Sequence, residues 1–384
     1  MPNPNASRSS RRVLTAACAA AIFLFGIGAS ALPGAPQKTP SRDGFKVMER
    51  VIGYIKADYL EEPDAKKVMG GAFEGLINSL DVMSGYLDKP SAAKLAAPNR
   101  AQLKDIGVVL FKQANAFPLI VAVLENSPAA KAGLRMGDYL SAVDDRSTIV
   151  WSLTEAVVRL KDLSGGKVKL RVIRENATKE MDVERGTIYP RAYTLTSQKG
   201  TAGVLKIHHF FSGMAAELRK AMPGGITAAA GPLVLDLRDC HEGDPAETGP
   251  FLNIFLKADK VGAFEKKGAA KDAVGCPAAP ALETQPLAVW VNQATMGPAE
   301  IAAAVLREQK RAKVIGLATP GLTGRQEIFP LDQGDALVLT SAVFVPASGE
   351  KLWGKGVTPD VKLDLRKLET KDYLEKTPGL IAAR

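Results

Sequence analysis

Few side chains in this sequence could act together as a nucleophile and a base, and the most prominent pair is Cys240 with His241. A thiol beside an imidazole is the combination that activates a cysteine for nucleophilic attack. Side chains of adjacent residues seldom face each other in the required geometry, however, and no third residue that would orient the imidazole is evident. A structural role for Cys240 is therefore the better interpretation, and a reactive thiol is the alternative.

The remaining histidines do not suggest a metal site. His208 and His209 are adjacent on a predicted strand, so their side chains should point to opposite faces. The sequence contains no cluster of cysteine or aspartate at the spacing of metal ligands, and no glycine-rich phosphate loop. We therefore expect neither a metal ion nor a cofactor.

The composition and the N-terminal segment indicate a folded, exported chain. Hydrophobic residues make up 46% and charged residues 24% of the 384 residues, as in ordinary folded proteins. The net charge is +9, but no basic stripe interleaved with aromatic residues is present, which argues against nucleic-acid binding. Residues 1–31 combine arginines, an apolar run and the small residues Ala29-Ser30-Ala31, as in a signal peptide. An uncleaved anchor is the alternative, and it is the only contact with a membrane that we expect.

Export would place the chain in the periplasm or the cell envelope, attached to the inner membrane if the leader is retained. It would also leave Cys240 and Cys276 in an oxidising compartment, where two cysteines suggest one disulfide. A bridge closing this loop of roughly 35 residues would add about 3–4 kcal/mol to the free energy of unfolding.

Hydrophobic periodicity and turn residues divide the rest of the chain. Residues 42–98 place apolar residues at helical spacing, which predicts amphipathic helices. Residues 99–186 alternate short β-rich runs with turns and one helical stretch. Residues 187–365 alternate strands with helices, which predicts an α/β core with a mostly parallel sheet. Residues 366–384 form a C-terminal tail.

The middle region contains a specific motif at 127–140, with the sequence SPAAKAGLRMGDYL. It predicts a short helix, a glycine exit, a tight turn at Gly137-Asp138 and a strand. This segment resembles a PDZ domain, and we assign residues 99–186 to that domain.

PDZ domains bind an extended peptide as an added strand and hold its carboxylate on N–H groups of a hydrophobic–glycine–hydrophobic loop. Ile106, Gly107 and Val108 match that loop, and with Asp105 they are the predicted peptide-binding residues. Asp105 stands where relatives commonly have glycine. A carboxylate there should oppose a peptide carboxylate unless its side chain points away.

Four segments outside the PDZ domain carry a further resemblance. They are Leu80-Asp81, Asp236-Leu237-Arg238, residues 289–301, and the run Gly-Lys-Gly-Val-Thr-Pro-Asp-Val at 354–361. Together with the order of the parts, they resemble the carboxyl-terminal-processing (tail-specific) serine proteases. The resemblance implies an α/β fold: a crotonase-like protease core with an inserted, β-rich PDZ domain and an N-terminal helical segment.

The resemblance also implies where catalytic residues should stand. In that family a serine attacks the peptide bond and an unprotonated lysine is its base. Counting from Glu300, the serine position is Gly297 and the lysine position is Leu322, while Gln326 matches the glutamine that steadies the lysine. Glycine has no side chain and leucine cannot exchange a proton, so no catalytic residue is expected at either position.

The loop that follows Arg238 departs from the family as well. Relatives have Asn-Pro-Gly-Gly there, and the flexible glycines let backbone N–H groups face a developing oxyanion. This chain has Cys240-His241-Glu242-Gly243, which keeps only the last glycine. The inherited oxyanion hole should therefore be weakened.

The sequence favours a pseudoprotease, a homologue that binds peptides or the C-termini of unfolded proteins without cleaving them. An active homologue or another envelope protein is a further expected partner. One alternative is an active peptidase that uses a displaced nucleophile, Thr295 or Cys240. The other is an envelope scaffold that binds no peptide.

Overall fold

The computed structural model describes residues 42–97, 102–188, 191–199, 201–221, 232–364 and 369–377. The predicted signal peptide or anchor, residues 1–31, lies outside these ranges. The chain divides into two compact units, Met1–Ala65 and Lys66–Arg384. None of the helices in the described ranges is long and apolar enough to cross a membrane.

The N-terminal region is helical, as its periodicity predicts. Its elements are α1 (Arg42–Asp58), α2 (Ala65–Asn78), the short strand β1 (Gly85–Leu87) and α3 (Lys89–Ala96). Asp81, which follows α2, forms a turn in which its Oδ1 accepts hydrogen bonds from the backbone N–H groups of Met83 and Ser84, each at 2.8 Å. This Asx turn directs the chain into β1.

The PDZ region is a small antiparallel sheet with one long helix. Its elements are β2 (Val108–Phe111), β3 (Leu119–Val123), α4 (Pro128–Lys131), β4 (Tyr139–Val143), β5 (Arg146–Ser147), α5 (Leu153–Leu160), β6 (Lys167–Arg174) and β7 (Ala177–Glu184). The strand order is β2-β3-β4-β6-β7, with β5 paired to β4. Consequently β2, which follows the predicted peptide-binding loop, is an edge strand of the sheet.

The C-terminal half contains two further sheets. Its elements are β8 (Tyr193–Thr196), β9 (Gly203–Ile207), α6 (Met214–Ala221), β10 (Leu233–Asp236), a 3₁₀ turn (Pro245–Glu247), α7 (Thr248–Leu252), β11 (Ala258–Lys266), β12 (Asp272–Cys276), β13 (Leu287–Val291), α8 (Pro298–Glu308), β14 (Lys313–Gly316), β15 (Gly324–Pro330), β16 (Ala336–Pro346), β17 (Val361–Lys362) and α9 (Thr370–Lys376).

One sheet has the order β17-β14-β13-β10-β9-β8 and is parallel except for β8. Every residue of β10 and β13 is buried, as expected for parallel strands covered on both faces. The other sheet is antiparallel, with the order β1-β16-β11-β12 and β15 paired to β16. The mixed α/β architecture with a β-rich PDZ region is therefore the one that the sequence predicts.

The segment predicted as a C-terminal tail contributes to the core through α9. The fully buried Tyr373 donates from its hydroxyl to the backbone carbonyl of Val291 at 3.0 Å. The indole of Trp290 donates to the Thr377 hydroxyl, also at 3.0 Å. These contacts attach α9 to the parallel sheet beside β13.

Candidate functional site

The two positions that should hold the family's serine and lysine lie beside each other. Gly297 is the residue before α8, immediately after the β13 strand and its loop. Leu322 lies in the loop between β14 and β15. The backbone N–H of Gly297 donates to the carbonyl oxygen of Leu322 at 3.2 Å. The fold thus brings together Gly297 and Leu322, the two positions at which the family resemblance implies a serine and a lysine.

The backbone at Gly297 makes a sharp strand-to-helix turn. Its φ of 57° and ψ of −128° lie in a region that favours glycine. A Cβ atom built there would meet no atom within 4 Å. In α/β-hydrolases a sharp strand-to-helix turn presents the nucleophilic side chain. Here the turn is retained and the space is open, but the side chain is absent.

Position 322 is filled by apolar packing. Leu322 is 6% exposed and belongs to the same hydrophobic cluster as the core of the PDZ domain. Ala294 and Met296, from the loop before Gly297, join that cluster. The side chain at the base position therefore connects the protease-like core to the PDZ domain, and it has no proton to exchange.

Glu300, in the first turn of α8, fixes the loop that carries Leu322. Its carboxylate is fully buried and accepts the N–H of Gly321 at 2.7 Å, the N–H of Leu322 at 2.8 Å, and the Thr319 hydroxyl. Loss of solvation raises the pKa of Glu300 to about 7, although these three hydrogen bonds act in the opposite direction. One carboxyl group thus sets the position of the whole turn.

Gln326, on β15, makes its hydrogen bonds to residues of other segments. Its Nε2 donates to the carbonyl of Met83 at 2.8 Å and to the hydroxyl of Thr154 at 3.0 Å. Thr154 lies in the PDZ helix α5, and its hydroxyl also reaches the Met83 carbonyl. The side chain therefore connects the PDZ helix, the segment before β1 and the antiparallel sheet.

The predicted disulfide between Cys240 and Cys276 does not form. Both cysteines are free and buried in the largest hydrophobic cluster of the core, where each packs as a small apolar side chain. Burial raises the pKa of the Cys240 thiol far above its usual range and that of the Cys276 thiol to about 11. His241 Nδ1 lies 2.9 Å from the carbonyl oxygen of Asp239. The cysteine–histidine pair considered from the sequence therefore has neither an accessible nor an ionised thiol.

The hydroxyl of Thr295 is also occupied. Thr295 is fully buried, and its Oγ1 donates to the carbonyl of Leu237 at 2.8 Å while accepting the N–H of Asn292 at 3.0 Å. These bonds shape the loop between β13 and α8. They hold the hydroxyl in the core between Leu237 and Asn292.

Pro298, which the sequence did not single out, lies where an oxyanion donor would be expected beside a nucleophile at 297. In many hydrolases the backbone N–H of the residue after the nucleophile donates to the oxyanion. Pro298 directly follows Gly297 and has no N–H. Proline is common at the first position of a helix, so its presence in the sequence did not by itself indicate a missing donor.

The predicted peptide-binding loop contains its own carboxylate. Asp105 Oδ1 accepts the N–H of Ile106 at 2.6 Å and the N–H of Gly107 at 3.4 Å. Its Oδ2 lies 3.6 Å from Nζ of Lys161, at the end of α5, and Lys161 also pairs with Glu242. Lys161 was missed because nothing in the local sequence connects it to Asp105.

The glycine of this loop is required by its surroundings. Gly107 has φ of 84°, and a Cβ there would stand 2.4 Å from Cβ of Ser127. Val108 begins β2 and pairs with Val123 of β3.

In the described ranges, no group of three or more His, Cys, Asp or Glu side chains could hold a metal ion.

Comparison with known proteins agrees with this architecture. Residues 201–363 match the model of peptidase family S41, and residues 119–174 match the model of the PDZ domain. The carboxy-terminal processing protease CtpA of Bacillus subtilis is 29% identical over 94% of this chain and 78% of its own length. The carboxy-terminal-processing protease of Bartonella bacilliformis is 28% identical over 81% of this chain and 73% of its own.

Among solved structures, the photosystem II D1 C-terminal processing protease superposes with a TM-score of 0.67 at 21% identity, covering 88% of this chain and 91% of that one. Residues 201–363 therefore form a peptidase family S41 domain and residues 119–174 belong to a PDZ domain. The chain is similar to the carboxy-terminal processing proteases.

Proposed function

We propose that this chain is a pseudoprotease that binds extended peptide segments without cleaving them. The observation that carries the proposal is the contact between Gly297 and Leu322. The turn that would present a nucleophile and the loop that would present its base meet, but neither residue can give or accept a side-chain proton. Serine chemistry needs both groups, because a hydroxyl is a weak nucleophile until a base removes its proton.

Two further features support the loss of catalysis. Pro298 lacks the N–H that would follow a nucleophile, and the loop after β10 replaces flexible residues with Cys240-His241-Glu242. Removal of one oxyanion donor commonly slows a hydrolase by about 10²–10³-fold. The burial of Cys240 and Thr295 weighs against either residue as a displaced nucleophile.

Peptide binding is supported by the PDZ domain. An extended segment would add to the edge strand β2 and lie beside α5, as in other PDZ complexes. One hydrophobic cluster contains Val108 and Val109 of β2 together with Leu153 of α5. The strand and the helix that border this groove therefore pack on a common core. The cluster also includes Leu322, so the PDZ domain packs against the residue at the proposed base position.

The site of action follows from the sequence. The leader-like residues 1–31 support export to the periplasm or cell envelope, where unfolded segments of other proteins would be the ligands. The relatives are named for carboxy-terminal processing. A chain with this fold that does not cleave would compete for their substrates or assemble with an active homologue.

The test is a combined cleavage and binding assay on the purified chain from Leu32 onward. An unfolded protein with an apolar C-terminus is incubated with it, and the products are read by intact-mass spectrometry. CtpA of Bacillus subtilis, whose name denotes processing activity, is the positive control. Binding without cleavage is expected. Cleavage that persists through purification and is lost in Cys240→Ala or Thr295→Val would establish a displaced nucleophile. The absence of both binding and cleavage would favour a scaffold.

A further inference from the structure

We infer that Asp105 is an internal ligand of the PDZ carboxylate-binding loop, so that the groove accepts carboxylate-free segments in preference to free C-termini. Such segments are chain-internal stretches and peptides with a blocked end. The inference rests on the proposed peptide binding and names the class of peptide bound. It differs from the expectation for relatives that act on C-termini.

The first step of the argument is the occupancy of the loop donors. In a PDZ domain the N–H groups of the hydrophobic–glycine–hydrophobic loop bind the terminal carboxylate of the ligand. Here the N–H of Ile106 donates to Asp105 Oδ1 at 2.6 Å, and the N–H of Gly107 approaches the same oxygen at 3.4 Å. The Asp105 carboxylate thus takes the place of the ligand's terminal carboxylate as the acceptor of these N–H groups.

The second step is that the other carboxylate oxygen is also held. Asp105 Oδ2 lies 3.6 Å from Nζ of Lys161, whose side chain is 16% exposed. Lys161 is held from its other side by Glu242, in the loop after β10. Because both oxygens of the carboxylate are held, moving the Asp105 side chain would break two amide contacts and one ion pair together.

The third step is that the backbone beneath the carboxylate is fixed. The N–H of Asp105 donates to the Gly186 carbonyl at 2.9 Å, and the Gly186 N–H returns a bond at 2.8 Å. Lys104 and Asp162 form a second bridge one residue earlier. Since the main chain on this side of the loop is paired, the direction of the Asp105 side chain follows from the fold.

The consequence for a ligand is electrostatic. A peptide carboxylate entering the loop would have to displace Asp105 or stand about 4 Å from it. At that separation near a protein surface, the repulsion is sufficient to weaken binding by at least about tenfold. An amidated end or a chain-internal peptide unit has no such charge. It can add to the β2 edge through its backbone and leave Asp105 in place.

Removal of Asp105 should reverse the preference. The Asp105→Ala substitution would leave the N–H groups of Ile106 and Gly107 without their charged acceptor, with the Lys161 ammonium close by. Backbone N–H groups beside a cation form a good carboxylate site. The variant is therefore expected to bind free C-termini better than the unchanged protein does.

The experiment measures fluorescence anisotropy with labelled eight-residue peptides that end in Ala, Val, Leu or Phe, each made as the free acid and as the amide. Three proteins are compared: the unchanged chain, Asp105→Ala, and Asp182→Ala. Asp182 is an exposed residue of β7, so its replacement makes the same charge change away from the groove. Circular dichroism confirms that all three are folded.

The unchanged chain and Asp182→Ala are expected to bind the amides at least as tightly as the acids. Asp105→Ala should shift the acid-to-amide affinity ratio by about tenfold toward the acid. A preference of the unchanged chain for the acids, or an unaltered ratio in Asp105→Ala, would overturn the inference while leaving peptide binding intact. If no peptide bound to any of the proteins, the proposed peptide binding itself would fall.

Discussion

Replacing Glu300 by glutamine is expected to change how the stability of the protein depends on pH. The Glu300 carboxyl group is fully buried, and loss of solvation raises its pKa from 4.5 to about 7. In the unfolded chain the group ionises near pH 4.5, whereas the native protein holds the proton until about pH 7. Between these values the native state binds more protons, so a rise in pH favours unfolding.

The magnitude follows from the size of the shift. Each pKa unit corresponds to about 1.4 kcal/mol, so Glu300 should lower the free energy of unfolding by roughly 3 kcal/mol between pH 4.5 and 7. Glutamine does not ionise, so the variant lacks this pH-dependent contribution to the free energy of unfolding. It also loses one of the two backbone bonds from Gly321 and Leu322, because its amide offers only one acceptor oxygen. At pH 5 it should therefore be less stable than the unchanged protein, by about 1–3 kcal/mol.

The assay is urea denaturation at several pH values from 5 to 8, with the difference between the two proteins plotted against pH. This difference should shrink or change sign as pH rises, and it cancels the contribution of Glu155, whose pKa is also raised to about 7 by burial. Glu283→Gln, at an exposed position, serves as the control and should keep the profile of the unchanged protein. Parallel curves for Glu300→Gln and the unchanged protein would refute the reasoning.

Two further predictions concern the positions proposed to have lost the catalytic residues, and the cysteines. The triple variant Gly297→Ser/Pro298→Ala/Leu322→Lys should react with a fluorophosphonate probe about 10²-fold faster than the double variant that keeps Pro298, because one oxyanion donor is restored. Equal rates would show that the missing N–H of Pro298 does not limit the reaction. In the chain from Leu32 onward, Cys240 and Cys276 should resist a thiol reagent in the native state and both react after denaturation without reductant, since both are free and buried. Fewer than two reactive thiols after denaturation would indicate a disulfide.

The sequence alone predicts the order of the parts, because each has a local signal. The glycines and Asp138 of the PDZ motif specify a helix exit and a turn, and the alternation of strands and helices after 187 specifies a parallel sheet. The proposed loss of the serine and the lysine at Gly297 and Leu322 also rests on the sequence. Whether a side chain can exchange a proton depends on its chemical identity, and no fold can supply a group that the residue lacks.

The tertiary structure decided the directions in which side chains point and the partners they meet. The sequence left open whether Asp105 faces the peptide-binding loop, and it suggested a disulfide at Cys240 that does not form. It also gave no sign that Lys161 joins Asp105 to Glu242, or that α9 packs on the sheet through Tyr373. Each of these depends on contacts between residues far apart in the chain, whose distances and burial are set only when the complete core is packed.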